Sequence, residues 1–240
     1  MSLFTISDLH LSTHEATNKS MEVFGKRWEN YMSRLEKNWR SVISDKDTVV
    51  IPGDISWAID LDEALSDLKF LDQLPGKKIL GKGNHDFWWA TMSKHSQFFE
   101  KHGIHTISFL FNNAYETEDY IIAGTRGWYL EADAMKNVND TDFDKIIARE
   151  AGRLRTSLVA AKHLQEHSPE KEILVFLHFP PLWNEKQTPQ IYDLIKAYDI
   201  RNVYFGHIHG GYHLPLDYAC DGMALHLISA DYLDFLPKIV

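Results

Sequence analysis

Cysteine is almost missing from these 240 residues: Cys220 is the single thiol. One thiol makes no intrachain disulfide, and a lone cysteine ordinarily behaves as a small buried hydrophobe. A structural zinc site built on thiolates is excluded on the same ground. Positive charge is also scarce, with 25 Lys and Arg against 34 Asp and Glu, a net charge of −9 and a pI near 5.8. A broad electrostatic footprint for nucleic acid or an anionic membrane is therefore not expected. No apolar run is long enough to cross a bilayer, and no basic stretch followed by an apolar one opens the chain. A cytoplasmic protein without membrane contact is the expectation. Repeats, low-complexity tracts and linkers are missing too, so one domain is expected over residues 1–240. With 44% apolar and 25% charged residues, the composition is that of a globular chain.

What is present comes into focus at Leu80-Gly81-Lys82-Gly83-Asn84-His85-Asp86. The apolar pair Ile79-Leu80 reads as the end of a buried strand, and the glycines let the backbone turn sharply. Three polar side chains of different kinds follow in consecutive positions. The same strand-then-polar pattern recurs at Asp8/His10, Asp54, His178 and His207/His209. In α/β proteins, chemistry is placed beyond the carboxyl ends of strands.

The periodicity places these ends in an alternating chain. Leu3 to Ile6 reads as a strand and residues 11–25 as a loop; Lys26 to Val42 carries apolar residues at helical steps. A strand at Val49–Ile51 precedes a helix marked by Leu61, Ala64, Leu65, Leu68 and Leu71, with Asp60 and Glu63 placed to cap it. Pro75-Gly76 ends that helix, and Lys78 to Leu80 is the third strand, so a parallel sheet with right-handed crossovers is predicted. Further on come a helix over Trp88–Lys101, strands over Ile104–Phe111 and Tyr120–Ala123, and a loop over Gly124–Asn139. The clearest helical stripe runs from Asp142 to His167, and Ile173–Leu177 is a strand. Thr188-Pro189 opens a helix reaching Tyr198, Asn202–Phe205 is a strand, and Tyr212–Asp217 with Met223–Ser229 forms a hairpin.

Asp8-Leu9-His10 and His207-Ile208-His209 each set two ligand-type side chains two residues apart. On an extended segment such side chains point the same way, so each pair can reach one ion. Any one of these residues alone is more often a capped turn or a satisfied surface group. Five strand ends carrying them together point to a metal site. Histidine, carboxylate and amide donors without thiolate suit Mn, Fe, Zn, Co or Ni.

Asp8-x-His10, Gly53-Asp54, Gly83-Asn84-His85-Asp86, His178 and Gly206-His207-x-His209 stand in an order that resembles the calcineurin-like metallophosphoesterase superfamily. The resemblance implies an α/β fold, a four-layer α/β/β/α sandwich with two mixed sheets and a dinuclear metal site at one end. It implies one metal on Asp8, His10 and His209, another on Asn84, His178 and His207, and Asp54 bridging them. His85 takes the place of the outer acid that protonates the leaving oxygen, and Asn84 and His85 that of substrate contacts. Gly53-Asp54 is followed by Ile55-Ser56-Trp57-Ala58 rather than the Asp-Arg-Gly extension of the protein Ser/Thr phosphatases. His85 stands where lipid A precursor pyrophosphatases tend to carry Arg. What is left is similar to the generic bacterial phosphohydrolase or phosphodiesterase branch.

Two divalent or trivalent ions against Asp8 and Asp54 leave a positive centre within an acidic protein, suited to clamp a phosphoryl group of a small-molecule phosphoester. The expected reaction is in-line attack by a metal-bridging hydroxide without a covalent intermediate. The alternatives are a nuclease of the same superfamily, against which the acidic balance weighs, and a silent metal-binding scaffold, against which His85 weighs. Gly76 to Lys82 fits most of a phosphate-cradle pattern, but Gly83 stands where Ser or Thr should be, so none is expected. Trp57, Arg126, Trp128 and Trp183 follow strands and either line a pocket, with Arg126 as a phosphate contact, or pack. The segment Ser12 to Asn38 is expected to fold over the metal end.

Overall fold

The first strand, β1 (Leu3–Thr5), is buried along its whole length and begins a repeating strand–helix alternation. It leads through two short 3-10 turns, Met21–Phe24 and Lys26–Trp28, to α1 (Tyr31–Val42). Then come β2 (Thr48–Ile51), α2 (Leu61–Gln73), β3 (Lys77–Leu80), α3 (Met92–His102) and β4 (Ile107–Phe109). The second half runs β5 (Tyr115–Glu116), β6 (Tyr120–Thr125), α4 (Asp140–Gln165), β7 (Glu172–Leu177), then the small pair β8 (Leu182–Trp183) and β9 (Lys186–Gln187). It closes with α5 (Pro189–Ala197), β10 (Asn202–Phe205), β11 (Asp217–Cys220), β12 (Met223–Leu227) and β13 (Lys238–Ile239). This computed structural model describes every residue except 16, 18, 130–139 and 214, and the side chains of 140 and 141 are likewise outside it.

The strands form two large sheets, ordered β13-β1-β2-β3-β4 and β11-β12-β10-β7-β6-β5. Both are mixed: β1 to β4 are parallel with β13 antiparallel at one edge, and β6, β7, β10 and β12 are parallel with β5 and β11 antiparallel outside them. Leu3, Val50 and Ile79 of the first sheet meet Ile122, Leu174, Phe176 and Tyr204 of the second in an apolar layer between them. Side chains of alternate parity face the helices instead. Leu35, Trp39, Leu68, Leu71 and Phe98 cover the first sheet, and Leu154, Leu158, Ile191 and Ile195 the second. The result is the α/β/β/α sandwich implied by the motifs, as a strand period of two requires when both sheet faces are buried.

Several boundaries move. The helix expected from Lys26 begins at Tyr31, because Asn30 sits at φ 51° and the chain before it makes a 3-10 turn. The helix expected from Trp88 begins at Met92, where the Thr91 side chain caps the Lys94 N–H; Trp88 and Trp89 pack as an aromatic knot ahead of it. Thr188 occupies the cap position of α5 as expected, yet its hydroxyl makes no capping bond. The last hairpin pairs Asp217–Cys220 with Met223–Leu227 rather than starting at Tyr212, since Asp221 and Gly222 adopt positive φ and make the two-residue turn. The strand β13 and the short β5 carry too little pattern to be read in advance. Of the loop expected over Gly124–Asn139, the part from 130 on lies outside the described residues. Among the described residues, no helix is long and apolar enough to cross a membrane.

Candidate metal centre

Because the parallel strands of both sheets run the same way, the loops after β1, β2, β3, β7 and β10 open at one end. The sheets are joined there: Ser7 donates its N–H to Ile228 O at 2.8 Å, and its carbonyl accepts from Ala230 N at 2.8 Å, a bridge between extensions of β1 and β12. The gathered loops approach so closely that side chains cannot be spared room everywhere. A Cβ on Gly83 would fall 2.0 Å from Asp54 Oδ1, and one on Gly206 2.0 Å from Asp8 Oδ2.

Asp8, His10, Asp54 and His207 all hold left-handed φ values, 59°, 46°, 50° and 69°. Non-glycine residues in that region are uncommon, and each such conformation costs about 1–3 kcal/mol. Four of them in one cluster mark a place where side-chain direction outweighs backbone comfort. They also correct the extended-strand picture of Asp8-x-His10 and His207-x-His209: β1 ends at Thr5 and β10 at Phe205, and turns rather than pleat alternation aim these side chains.

The expected ligand residues are brought together. Asp8, His10 and His209 present ligand atoms within 4.8 Å of one another, and so do Asp8, Asp54 and His178. His10 Nε2 is 3.2 Å from His209 Nε2, and His209 Nε2 is 3.5 Å from Asp8 Oδ1. On the other side, Asn84 Oδ1 lies 2.7 Å from His178 Nε2 and 3.0 Å from His207 Nδ1. Asp54 Oδ2 stands between the two groups, 3.7 Å from His10 Nε2 and 3.6 Å from His178 Nε2. His85 is beside them: its N–H donates to Asp54 Oδ1 at 2.8 Å, and its ring lies 5.6 Å from that of His10.

Burial sets the protonation of these groups. It drives the histidines toward the neutral form, His10 to about 3 and His207 to about 4, with His178 well below its ordinary value. A neutral imidazole has the free lone pair that metal ligation needs. His209 is the exception: burial opposes its charge, but the hydrogen bond to Asp231 and the adjacent Asp8 raise it to about 10. Burial also opposes ionisation of Asp8, yet His209 and His178 beside it hold its carboxyl low; Asp54, buried next to Asp8, is pushed up. His10 Nδ1 and His178 Nδ1 are buried without a hydrogen-bond partner. Two carboxylates, four imidazoles and an amide oxygen, with glycines where a Cβ would intrude, fit a pair of divalent ions.

Three supporting residues lie beyond the ligands. Asp231, fully buried, accepts from His209 Nδ1 at 2.9 Å and from the Tyr212 hydroxyl at 2.9 Å. Asp86 accepts from the N–H groups of Asp54, Ile55, Ser56 and Gly83 and from Trp88 Nε1, all within 3.3 Å. Trp28 sets its ring 5.5 Å from His209 and 6.0 Å from His10. The sequence holds a sign of Asp231, since it follows the strand Met223–Ser229 as the other polar residues follow theirs. Nothing local marks Trp28. Of the four further side chains picked from the sequence, Trp57 lies in the site, stacked on His10 at 4.9 Å. The Arg126 guanidinium is instead engaged by Glu150 at 3.2 Å and lies 4.2 Å over Trp128, while its carbonyl accepts from His178 N. Trp128 is buried against Phe179, and Trp183 packs on Phe205 and Tyr218.

A family model described as calcineurin-like phosphoesterase matches residues 1–211. Among solved structures, phosphopantetheinyl hydrolase (PptH) from Mycobacterium tuberculosis is similar with a TM-score of 0.55 at 16% identity, covering 100% of this chain and 95% of that one. The protein TT1561 of Thermus thermophilus has a TM-score of 0.55 at 10% identity, over 96% of this chain and 89% of that one. At such identities the likeness is one of fold. No curated protein matches the chain.

Proposed function

The chain belongs to the calcineurin-like phosphoesterase family, and from that premise we propose that it hydrolyses a small-molecule phosphoester with two metal ions. Asp8, His10 and His209 would hold one ion, Asn84, His178 and His207 the other, and Asp54 both. The observation that carries this reading is the meeting of those seven side chains from five strand ends, with Asp54 Oδ2 within 3.7 Å of an imidazole nitrogen on either side. When bound, the ions would supply an acidified water and the positive charge that neutralises a phosphoryl group.

The chain's own residues do the rest. Asp231 holds the His209 ring by its Nδ1, which leaves Nε2 directed at the site. Asp86 gathers the backbone of the two loops that carry Asp54 and Asn84. His85, anchored through its N–H to Asp54 and packed 4.2 Å from Trp57, would give a proton to the departing alkoxide.

The test joins metal content to turnover. Protein stripped with chelator and reloaded with Mn²⁺ is expected to take up two ions per chain and to hydrolyse p-nitrophenyl phosphate or its bis ester, the two substrates separating monoesterase from diesterase. Asp54→Asn is expected to weaken both ion positions. Full occupancy in that variant would remove Asp54 from its bridging place, and no turnover of any phosphoester under any of Mn²⁺, Ni²⁺ or Zn²⁺ would overturn the hydrolase reading.

A further inference from the structure

A cavity of about 460 Å³ opens directly onto the ligand cluster, which forms its floor. Its walls are the side chains of Met21, Phe24, Trp28, Trp57 and Tyr212, together with Gly210. Phe24 and Tyr212 stand at the rim, 69% and 45% exposed, whereas Met21 and Trp28 are buried deeper. A further aromatic ring, Phe87, is 59% exposed and 6.3 Å from the ring of His85. Large apolar side chains left in water beside a polar site mark a binding surface rather than packing.

We infer that this cavity receives the alcohol part of the phosphoester, and that this alcohol carries a flat apolar ring system of one or two rings. The inference rests on the phosphoesterase reading above. Whatever is attached to phosphorus must lie where the floor opens, and these walls are what surrounds that space. Four of the five wall side chains are aromatic, which favours ring faces and edges over a flexible chain. The walls offer few hydrogen-bonding groups to a polyol. The Tyr212 hydroxyl is already given to Asp231, and Trp57 Nε1 is shut away from solvent without a partner. A sugar alcohol would shed its water there without replacement. The exposed Lys19 ammonium, 5.1 Å from the Trp57 ring centroid, adds a cation at the rim that suits an anionic ester.

The probes are phosphonates, whose carbon–phosphorus bond is not hydrolysed, so the measurement does not depend on turnover. Calorimetry on the Mn²⁺-loaded protein compares methylphosphonate, 2-naphthylmethylphosphonate and decylphosphonate. The naphthyl compound is expected to bind at least about tenfold tighter than methylphosphonate, and Phe24→Ser to shrink that ratio by about three- to tenfold. Phe24 is a rim side chain, so the fold of that variant is checked by its unchanged metal stoichiometry. Equal affinity of the naphthyl and methyl compounds overturns the ring assignment, and tighter binding of the decyl compound replaces it with a chain. Failure of the whole phosphoester panel to turn over would instead strike the proposed function, while the phosphonate ratio still reads the cavity.

Discussion

At the scale of single residues, direction matters more than type. Aspartate and histidine are common at strand ends, but four of them in left-handed conformations facing one point are not. The unfavourable backbone is offset by the contacts that hold each residue: His207 N, for example, donates to Asp8 Oδ1 at 3.0 Å and to Oδ2 at 2.9 Å. His85 carries the sharpest residue-level prediction. Its ring sits next to the ligand cluster, and burial lowers its pKa from the ordinary histidine value. His85→Ala should cut kcat on an alkyl phosphomonoester by about 10²- to 10⁴-fold, with a far smaller loss on p-nitrophenyl phosphate, whose leaving group needs no proton. Equal losses on the two substrates in steady-state assays would remove His85 from the acid role.

At the scale of elements, the site is a set of loops tied together by buried polar groups. Asp86 ties the loop after β2 to the loop after β3 through five donors. Asp86→Ala leaves those donors unpaired in a dry place and should cost at least about 3 kcal/mol. A urea midpoint unchanged from the parent would show that the two loops do not depend on it. The helix α3 carries a different liability. His95, buried among Trp88, Trp89 and Phe109, accepts from Ala90 N at 3.1 Å, and burial lowers it to about 4. The unfolded chain binds this proton near 6.5 and the folded chain only near 4, so stability is fully present above 6.5 and is lost as pH falls toward 4. Denaturant melts between about pH 4 and 7 should show this slope, and His95→Phe should flatten it; an identical slope in the variant would assign the acid loss elsewhere.

At the scale of the whole molecule, two sheets face each other through an apolar layer and meet at one end in a polar cluster. That cluster is a cost to folding when nothing neutralises it, because buried carboxylates and imidazoles have lost their water. Ion binding to the folded chain would therefore feed directly into global stability. Mn²⁺ at about a hundred times its dissociation constant should contribute about 2.7 kcal/mol per site. For a chain of this length that amounts to a rise of about 5–10 °C in Tm, reversed by chelator. Scanning calorimetry with and without Mn²⁺ reads it, and a Tm indifferent to metal would argue against a site formed only on folding. The net charge of −9 sharpens the contrast between the body of the protein and a positive loaded centre, which should make anionic substrate capture fall with salt.

The sequence by itself determined the α/β alternation, the strand ends at Asp8, Asp54, Asn84, His178 and His207, and hence the family. Apolar runs broken by glycine and followed by metal-ligating side chains are local signals, and local signals survive in a one-dimensional string. Helix starts at Tyr31 and Met92 did not, since they depend on a left-handed Asn30 and on a Thr91 cap competing with a strong apolar period. Only the tertiary structure decided that Asp231 supports His209, that Arg126 turns to Glu150, and that within the segment expected over the metal end it is Met21, Phe24 and Trp28 that wall the site. Those contacts join residues far apart along the chain, and no spacing rule carries them. They arise when parallel strands bring their ends to one edge and the intervening loops have nowhere else to fold.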